Sequence, residues 1–241
     1  MVFTYSGYRN LISRIKESDY EICNYHNYVS AEKCAILRHD IDNSSEAALR
    51  LGKVEETMGV HSTWFVLITS NFYNPASAEC RTALKELQSM GHEIGLHFDE
   101  MAYGEALPSG QIIAAIQKEA AILSQILETP VTTVSMHRPS KETLDANLEI
   151  PGMVNSYGKT FFHDFKYLSD SRHRWRESVE DVIKSGKHNR LHILTHAFWY
   201  HEQEETIEET VGNFIRSANR ERYEQMREHI TDLSSIIPEV V

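Results

Sequence analysis

The chain has 241 residues, a length that suits one large domain with its own hydrophobic core. Its 24 lysines and arginines against 35 aspartates and glutamates give a formal charge of −11, which disfavours nucleic acid and anionic membranes as partners. The three cysteines are widely spaced and form no Cys-x-x-Cys pair, which argues against a disulfide framework and a thiolate zinc site and favours a reducing compartment.

The amino-terminal segment lacks the unbroken apolar stretch of an export signal, and no later run is long enough to span a bilayer. We therefore expect a cytoplasmic protein without a membrane span. Since no linker, repeat or low-complexity stretch marks a boundary, residues 1–241 are predicted to form a single domain.

Short apolar runs alternate with helical patterns along the chain. An apolar run at 34–38 leads into His39-Asp40-Ile41-Asp42, and a helix is predicted over 44–58. The elements predicted next are a strand at 62–67, a helix at 76–90, strands at 93–98 and 131–136 separated by a helix at 111–128, and a late strand at 191–195. This alternation predicts an α/β fold with a mainly parallel sheet, for which a barrel is the best description.

The carboxyl-terminal part is predicted to be helical from about 202 to 237. A first helix at 202–218 has an apolar face that we expect to point inward, formed by Ile207, Val211 and Phe214 or Ile215. The stretch 219–237 continues with one apolar stripe, made of Tyr223, Met226, Ile230, Leu233 and Ile237. This pattern favours a terminal helix docked on its own barrel, and the alternative is a homodimer contact through the same stripe.

Two carboxylates follow the first predicted strand. Asp40 and Asp42 lie two residues apart, so they project to the same side of an extended chain. Such close carboxylates repel each other unless a cation or a shared proton intervenes, which predicts that one binds metal while the other accepts protons. The alternative is that Asp42 caps the next helix, but Asn43 with Glu46 already supplies a capping signature.

The later strands end in similar chemistry. His97 ends the strand at 93–98 with Asp99 two residues beyond, His137 and Arg138 follow the strand at 131–136, and His196 follows the late strand. A single histidine on an apolar run is more often a hydrogen-bonded core residue. Because four strand ends carry such residues, and imidazole and carboxylate are ordinary zinc ligands, the sequence favours a metal site at this edge.

These motifs, in this order over residues 36–200, resemble the polysaccharide deacetylases with a NodB-homology domain. The resemblance implies a distorted (β/α)7-type barrel, and it implies Asp40 as general base and Asp42 as metal ligand. The stretch Gly91-His92-Glu93-Ile94-Gly95-Leu96-His97 is similar to the family's second motif, which implies His97 as a ligand.

Two further motifs complete the resemblance. Arg138-Pro139 looks like the third motif, whose arginine pairs with the catalytic carboxylate and orients it. Leu194-Thr195-His196 looks like the last motif, whose histidine is the general acid. The segment 166–170 with Trp175 is a weak match to the fourth motif.

The chain also departs from the family pattern. The acidic pair is Asp-x-Asp rather than adjacent, and Met101 stands where the family has its second ligating histidine. A thioether is a poor ligand for a borderline cation, so a replacement must come from elsewhere. We take His137 as the first choice and Asp99 as the second.

The predicted reaction is zinc-assisted hydrolysis of an N-acyl group, with acetamide on an amino sugar as the expected substrate. Asp40 takes the proton of a water, Arg138 keeps Asp40 ionised, and His196 protonates the departing amine. Phe198, Trp199 and Tyr200 either line the pocket or are ordinary core aromatics. A cytoplasmic location favours a precursor of a surface polysaccharide as substrate.

Three other interpretations remain open. The missing histidine at Met101 is compatible with an amidohydrolase that works without metal, and it also favours a catalytically inactive sugar-binding module. The His39-Asp40 dipeptide is found in HD-class phosphohydrolases, but these carry their ligands on helices whereas His39 ends a strand-like run.

Overall fold

The computed structural model describes residues 1–104 and 107–238. It divides into two compact units, Met1–Glu202 and Gln203–Val241, which are described separately. That residues 1–241 act as a single domain stays a prediction. Among the described helices, none combines the length and the hydrophobicity that crossing a bilayer requires.

The first unit alternates strands with helices as the sequence predicts. Within its described residues, the strands are β1 (Glu21–Cys23), β2 (Cys34–Ile41), β3 (Thr63–Val66), β4 (Glu93–Phe98), β5 (Thr133–Met136), β6 (Val154–Asn155), β7 (Lys166–Ser169) and β8 (Arg190–Thr195). Its helices are α1 (Tyr5–Glu17), α2 (Ser45–Thr57), α3 (Ala78–Ser89), α4 (Ser109–Leu127), α5 (Lys141–Asp145) and α6 (Val179–Ser185).

The strands form one parallel sheet in the order β6-β5-β4-β3-β2-β8-β7, with β1 paired to β2 off this path. Strand β2 is central: β8 runs along one side of it, while β1 pairs with its first half and β3 with its second half. The sheet curls into a half-barrel, so that Arg38 of β2 reaches the Ser156 hydroxyl beyond β6 at 3.1 Å. The predicted α/β barrel-type fold is confirmed.

Strand β2 is buried along its whole length because helices cover its outer face and the curled sheet covers its inner face. Its outward residues, such as Ala35 and Leu37, join the core between sheet and helices. Its inward residues change along the strand, from apolar Cys34 and Ile36 to charged Arg38 and Asp40. The lower half of the half-barrel is therefore filled by a separate apolar cluster, made of Cys23, Tyr25, Ala31, Cys34, Ile36, Phe65, Phe161 and Phe165.

The predicted N-cap of the helix after β2, Asn43, is wrong by one position. Helix α2 begins after Ser44, whose hydroxyl accepts a hydrogen bond from the Ala47 amide at 3.1 Å. Asn43 therefore lies outside the helix, and Asp42 is not the cap. The Asp42 carboxylate is left available for contacts on the inner side of the sheet.

The second unit contains the long helix α7 (Ile207–His229) and the short α8 (Leu233–Ile236). Helix α7 starts with a capping box between Thr206 and Glu209. It continues past position 218, where the first predicted helix ended, because neither glycine nor proline follows that position within the helix. The inward orientation predicted for Ile207 and Val211 is wrong, since these residues are 39% and 36% exposed. Of the two alternatives for the next position, Ile215 is 61% exposed and Phe214 is partly buried. Docking of the terminal helix and a homodimer contact stay predictions.

Candidate metal centre and active site

The predicted site residues come together at one edge of the sheet. Asp40 lies near the end of β2 and Asp42 just after it, His97 lies in β4, His137 directly follows β5, and His196 directly follows β8. Since all these strands are parallel, their carboxyl ends meet at the same edge. The spacing argument that placed Asp40 and Asp42 on one side is confirmed, because His97 Nε2 lies 3.5 Å from Asp40 and 3.3 Å from Asp42.

Asp42, His97 and His137 form a compact group of possible metal ligands. Asp42 Oδ1 lies 3.3 Å from His97 Nε2 and 3.2 Å from His137 Nδ1, and the two imidazole nitrogens are 3.1 Å apart. Tetrahedral zinc ligands at ordinary bond lengths stand about 3.3 Å from one another. The buried Asp42 Oδ1 also makes no hydrogen bond of good geometry within the described chain. Both the donor set and its spacing therefore fit a zinc-like cation.

The charges of this group favour an ionised carboxylate. Burial opposes the ionised form of Asp42, but the neighbouring His137 and His97 imidazoles outweigh it and hold the pKa of Asp42 well below its usual range. The pKa of His137 is raised, because the Asp42 carboxylate outweighs the effect of burial. In the absence of a cation, the Asp42 carboxylate therefore favours a proton on the His137 imidazole. That the three residues bind a metal stays a prediction.

Asp40 is held by an arginine from its own strand. The Arg38 guanidinium donates to both Asp40 oxygens at 2.6 and 2.7 Å, and Arg38 is fully buried. Arg38 also donates to the Ser156 and Ser135 hydroxyls, so it is fixed from several sides. Burial opposes ionisation of Asp40, but the Arg38 charge outweighs it and lowers the pKa of that carboxyl.

The predicted pairing of Arg138 with Asp40 is wrong. Arg138 instead forms an ion pair with Asp99, and its side chain is 59% exposed. Residue 138 lies next to the end of β4, because the His137 amide donates to the Phe98 carbonyl at 2.8 Å and so extends the ladder by one step. Arg138 thus meets Asp99, and Arg38 already occupies both oxygens of Asp40.

His196 is oriented by Asp170, which follows β7. Its Nδ1 lies 2.6 Å from Asp170 Oδ1, and its backbone amide donates to the same carboxylate at 3.1 Å. The other ring nitrogen, Nε2, lies 3.8 Å from Asp42 Oδ2. Burial disfavours the imidazolium, but Asp170 outweighs it and raises the pKa of His196 to about 9. A protonated His196 therefore faces the metal-ligand group.

The remaining candidates fall outside this group. Asp99, the second choice of ligand, is engaged by Arg138 and by the Met101 amide, and the Met101 side chain is 53% exposed. Tyr200 is fully buried and donates its hydroxyl to Asp170 at 3.1 Å, so it supports the site from behind. Phe198 and Trp199 are partly exposed.

The site residue that was not predicted from the sequence is Arg38. Its signal was present, since Arg38 precedes Asp40 by two residues on the same strand and therefore shares its side. Asp170 was singled out only through the weak match at 166–170. Its position directly after a strand, level with the other site residues, is the stronger signal.

The chain is similar in fold to solved structures of carbohydrate esterases and deacetylases. No protein-family model matches the chain, and no curated protein matches it. Among solved structures, it is similar to a family 4 carbohydrate esterase from Bacillus anthracis, with 13% identity, a TM-score of 0.46 and 89% of each chain covered. It is similar to a peptidoglycan deacetylase from Bacillus subtilis, with 15% identity, a TM-score of 0.44, and 83% of this chain and 98% of the other covered.

A third similar structure is a CE4 family pseudoenzyme from Bacillus anthracis, with 14% identity, a TM-score of 0.45 and 77% of this chain covered. This chain spans 62% of the length of that protein. These similarities concern the fold, so the function has to be inferred from the residues of the site itself.

Proposed function

We propose that this protein is a metal-dependent hydrolase that removes an N-acyl group, in the first instance acetyl, from an amino sugar, as polysaccharide deacetylases do. The observation that carries the proposal is the arrangement around Asp42. A three-ligand group lies between a buried carboxylate paired with Arg38 and an imidazole paired with Asp170. Metal-assisted amide hydrolysis uses a Lewis acid, a proton acceptor and a proton donor within reach of one bond.

Asp40 is the proton acceptor in this proposal. It is ionised because Arg38 holds both its oxygens, and it lies 3.5 Å from His97 Nε2, beside the ligand group. Arg38 cannot rotate away from it, since two serine hydroxyls also bind the guanidinium. The carboxylate is thus fixed in a position to accept a proton from an attacking water.

His196 is the proton donor. Asp170 accepts the hydrogen bond of Nδ1 and keeps the ring protonated, which leaves the Nε2 proton directed toward the reacting bond. Protonation of the departing nitrogen is required because an amide anion is too basic to leave unaided. A well-placed acid contributes about a hundredfold to ten-thousandfold to the rate.

Asp42, His97 and His137 would hold the metal, with zinc as the expected ion. When bound there, a divalent cation would polarise the acyl carbonyl and acidify a water. We keep the sugar precursor of a surface polysaccharide as the proposed substrate. We also keep a cytoplasmic location, which is supported by three buried free cysteines.

The experiment is purification without chelator, measurement of bound metal, and assay of acetate release from N-acetylated amino sugars. We expect one equivalent of divalent metal, and loss of activity by about a hundredfold or more in Asp40→Asn and His196→Ala. Matched controls are Asp145→Asn and His163→Ala, which change exposed residues outside the site.

Two outcomes would separate the alternatives. Undiminished acetate release from metal-free protein would favour a metal-independent amidohydrolase. Saturable sugar binding without acetate release by the metal-loaded wild type would favour a catalytically inactive sugar-binding module.

A further inference from the structure

Tyr73, in the loop between β3 and α3, has its hydroxyl bound by two backbone groups. The Leu67 amide donates to this hydroxyl at 2.9 Å, and the hydroxyl donates to the Ile41 carbonyl at 2.6 Å. Burial raises the pKa of Tyr73 well above its usual value, so the hydroxyl keeps the proton that it donates. Its single proton is therefore used within the fold and takes no part in the proposed chemistry.

The two backbone groups belong to neighbouring strands and point toward each other. Alternate residues of a parallel strand bond to the same neighbour. Because the Cys34 amide bonds to the chain entering β8, Ile41, an odd number of residues later, bonds toward β3. Because the Ser62 carbonyl bonds to β4, Leu67 bonds toward β2. With Ile41 in register with Val66, the next bond of an uninterrupted ladder would join the Leu67 amide to the Ile41 carbonyl.

The Tyr73 hydroxyl takes the place of that ladder bond. Two hydrogen bonds in series separate an amide from a carbonyl by more than the single bond of about 2.9 Å in a regular ladder. Strands β2 and β3 are therefore held apart at this step by a side chain from outside the sheet. The step lies at the carboxyl end of β2, and the next residue is Asp42.

Asp42 has to reach across a whole strand to meet its partners. His97 lies in β4, and β3 runs between β2 and β4. Strands two places apart in a sheet are separated by about 10 Å, yet Asp42 Oδ1 lies 3.3 Å from His97 Nε2. The course of the chain at the end of β2 therefore decides whether Asp42 meets its partners. The bond from Tyr73 fixes the carbonyl of Ile41, the residue directly before Asp42.

We propose that Tyr73 is a positioning residue for the metal-ligand group. By holding β2 away from β3 at Ile41, its hydroxyl sets the direction in which the chain leaves the strand. That direction places the Asp42 carboxylate beside His97 and His137. Groups that orient metal ligands from behind affect metal affinity without touching the ion. This inference rests on the proposed function for the metal and extends it to a residue outside the ligand set.

The first experiment measures zinc affinity in the absence of substrate. The full-length protein is dialysed against a chelator and then titrated with zinc in competition with a chromophoric chelator. We expect Tyr73→Phe to raise the zinc dissociation constant about tenfold, because loss of a group that orients a ligand weakens metal binding by about 10- to 100-fold. This measurement does not require any enzymatic activity.

The matched control is Tyr20→Phe. The Tyr20 hydroxyl also donates to a backbone carbonyl, that of His188 at 2.6 Å, but it lies at the amino ends of β1 and β8, away from the site. Each substitution removes one such hydrogen bond, so we expect both to lower the melting temperature by a similar amount, about 2–4 °C. Tyr20→Phe should change the zinc dissociation constant less than about twofold. A lower melting temperature of Tyr73→Phe with unchanged zinc affinity would make Tyr73 merely structural and overturn the proposal.

The second experiment does not depend on metal. Removing one hydroxyl leaves the ring of residue 73 in place, so metal-free Tyr73→Phe should fold, and its crystal structure can be compared with that of the wild type. We expect the Leu67 amide to bond directly to the Ile41 carbonyl at about 2.9 Å. Asp42 Oδ1 should then lie further from His97 Nε2 than 3.3 Å. An Asp42 carboxylate that stays in place would overturn the proposal.

The two proposals fail in different ways. A wild type that binds no zinc, together with a displaced Asp42 in Tyr73→Phe, would refute the metal-dependent hydrolase and sustain the positioning role of Tyr73. Equal zinc affinity of the wild type and Tyr73→Phe, with Asp42 in place, would refute the positioning role and leave the hydrolase standing.

Discussion

The ion pair between Arg38 and Asp40 shows how much one residue can decide about this site. Both side chains are buried, at 0% and 5% exposure, where an unpaired charge is costly. By contrast, the Arg138 pair with Asp99 involves an arginine side chain that is 59% exposed and well hydrated. The two ion pairs therefore differ in their effect on the stability of the fold as well as in the carboxylate that each arginine binds.

Replacing Arg38 should be far more damaging than replacing Arg138. We expect Arg38→Met to lower the free energy of unfolding by about 3–5 kcal/mol, because it leaves the Asp40 carboxylate buried without its partner. Arg138→Gln should change it by about 1 kcal/mol at most, as exposed ion pairs contribute little. Urea unfolding at neutral pH measures both values, and equal effects of the two substitutions would contradict the structure.

The sequence predicted the acidic and imidazole members of the candidate site and failed for its arginine. Strand ends and spacing by two residues suffice to place Asp40, Asp42 and His97, because backbone geometry fixes those positions. An arginine has a long flexible side chain, so its partner depends on which carboxylates the folded chain leaves within reach. That competition between Asp40 and Asp99 is decided by tertiary structure.

At the scale of elements, strand β4 depends on having no side chain at Gly95. A Cβ atom there would lie 2.6 Å from the Phe65 ring and 3.0 Å from the Thr133 carbonyl oxygen. Gly95 faces the inner side of the sheet, between the apolar cluster below and the site above. The close approach of Phe65 to β4 thus requires glycine.

We expect Gly95→Ala to destabilise the protein by about 1–3 kcal/mol, because Phe65 must move in a packed interior. The matched control is Gly110→Ala in the first turn of α4, where nothing lies within 4 Å of the added Cβ. That substitution should be neutral or stabilise by up to about 1 kcal/mol, as alanine favours helix. Thermal unfolding of the two variants side by side tests the contrast.

The turn after β4 is joined to helix α4 by a buried carboxyl. Glu119 is 3% exposed and accepts a hydrogen bond from the Tyr103 hydroxyl at 2.6 Å. Burial raises the pKa of Glu119 to about 7, with the Tyr103 hydrogen bond opposing and Asp99 adding to the shift. The folded protein therefore binds the Glu119 proton more tightly than the unfolded chain does.

This stabilisation is present below the unfolded pKa of about 4.5 and is lost as the pH rises through about 7. Glu119→Gln stays neutral, so we expect it to be more stable than the wild type at pH 8, by up to about 3 kcal/mol, and equally stable near pH 4.5. The exposed Glu142→Gln serves as control. A stability difference that does not grow between pH 5 and pH 8 would contradict the buried carboxyl.

The elements themselves were predicted unevenly. The strand at 93–98 is found at those bounds, and the helix at 76–90 is α3, Ala78–Ser89. Helix α1 was missed, although Tyr8, Leu11, Ile12 and Ile15 share one buried face. In α7 Tyr223 of the predicted apolar stripe is buried, whereas Ile207, Val211 and Ile215 are exposed, because periodicity shows which residues share a face and not what covers it.

At the scale of the whole molecule, the curled parallel sheet converts distant sequence motifs into one site. Strands β2, β4, β5 and β8 place residues from distant parts of the chain next to one another. The hydrogen bond between the side chains of His39 and Thr195, for example, joins residues that are 156 positions apart. The alternation of strands and helices predicted a barrel-type α/β fold, but it did not predict how the sheet curls. The segment between β6 and β7 contains a π-helical turn at Thr160–Asp164, an irregular backbone conformation that no periodic pattern predicts.

If the three-ligand group binds metal, the whole fold gains stability from it. We expect zinc at about a hundred times its dissociation constant to stabilise the wild type by about 2.7 kcal/mol, since the unfolded chain does not assemble the site. His137→Ala should abolish most of this gain, whereas His163→Ala, at an exposed position, should retain it. Calorimetry with and without zinc measures the difference, and an unchanged response in His137→Ala would exclude that residue as a ligand.

The apolar cluster that fills the lower half of the barrel has one more consequence. Tyr25, Phe161 and Phe165 are almost fully buried, and the Tyr25 hydroxyl is bonded to His192 at 2.6 Å, so this end is closed. A molecule that reaches Asp40 therefore does not pass through this end, and under the proposed hydrolysis both products leave from the side on which the strands end. The product bound nearer the cluster would then compete with the next substrate molecule for the same space.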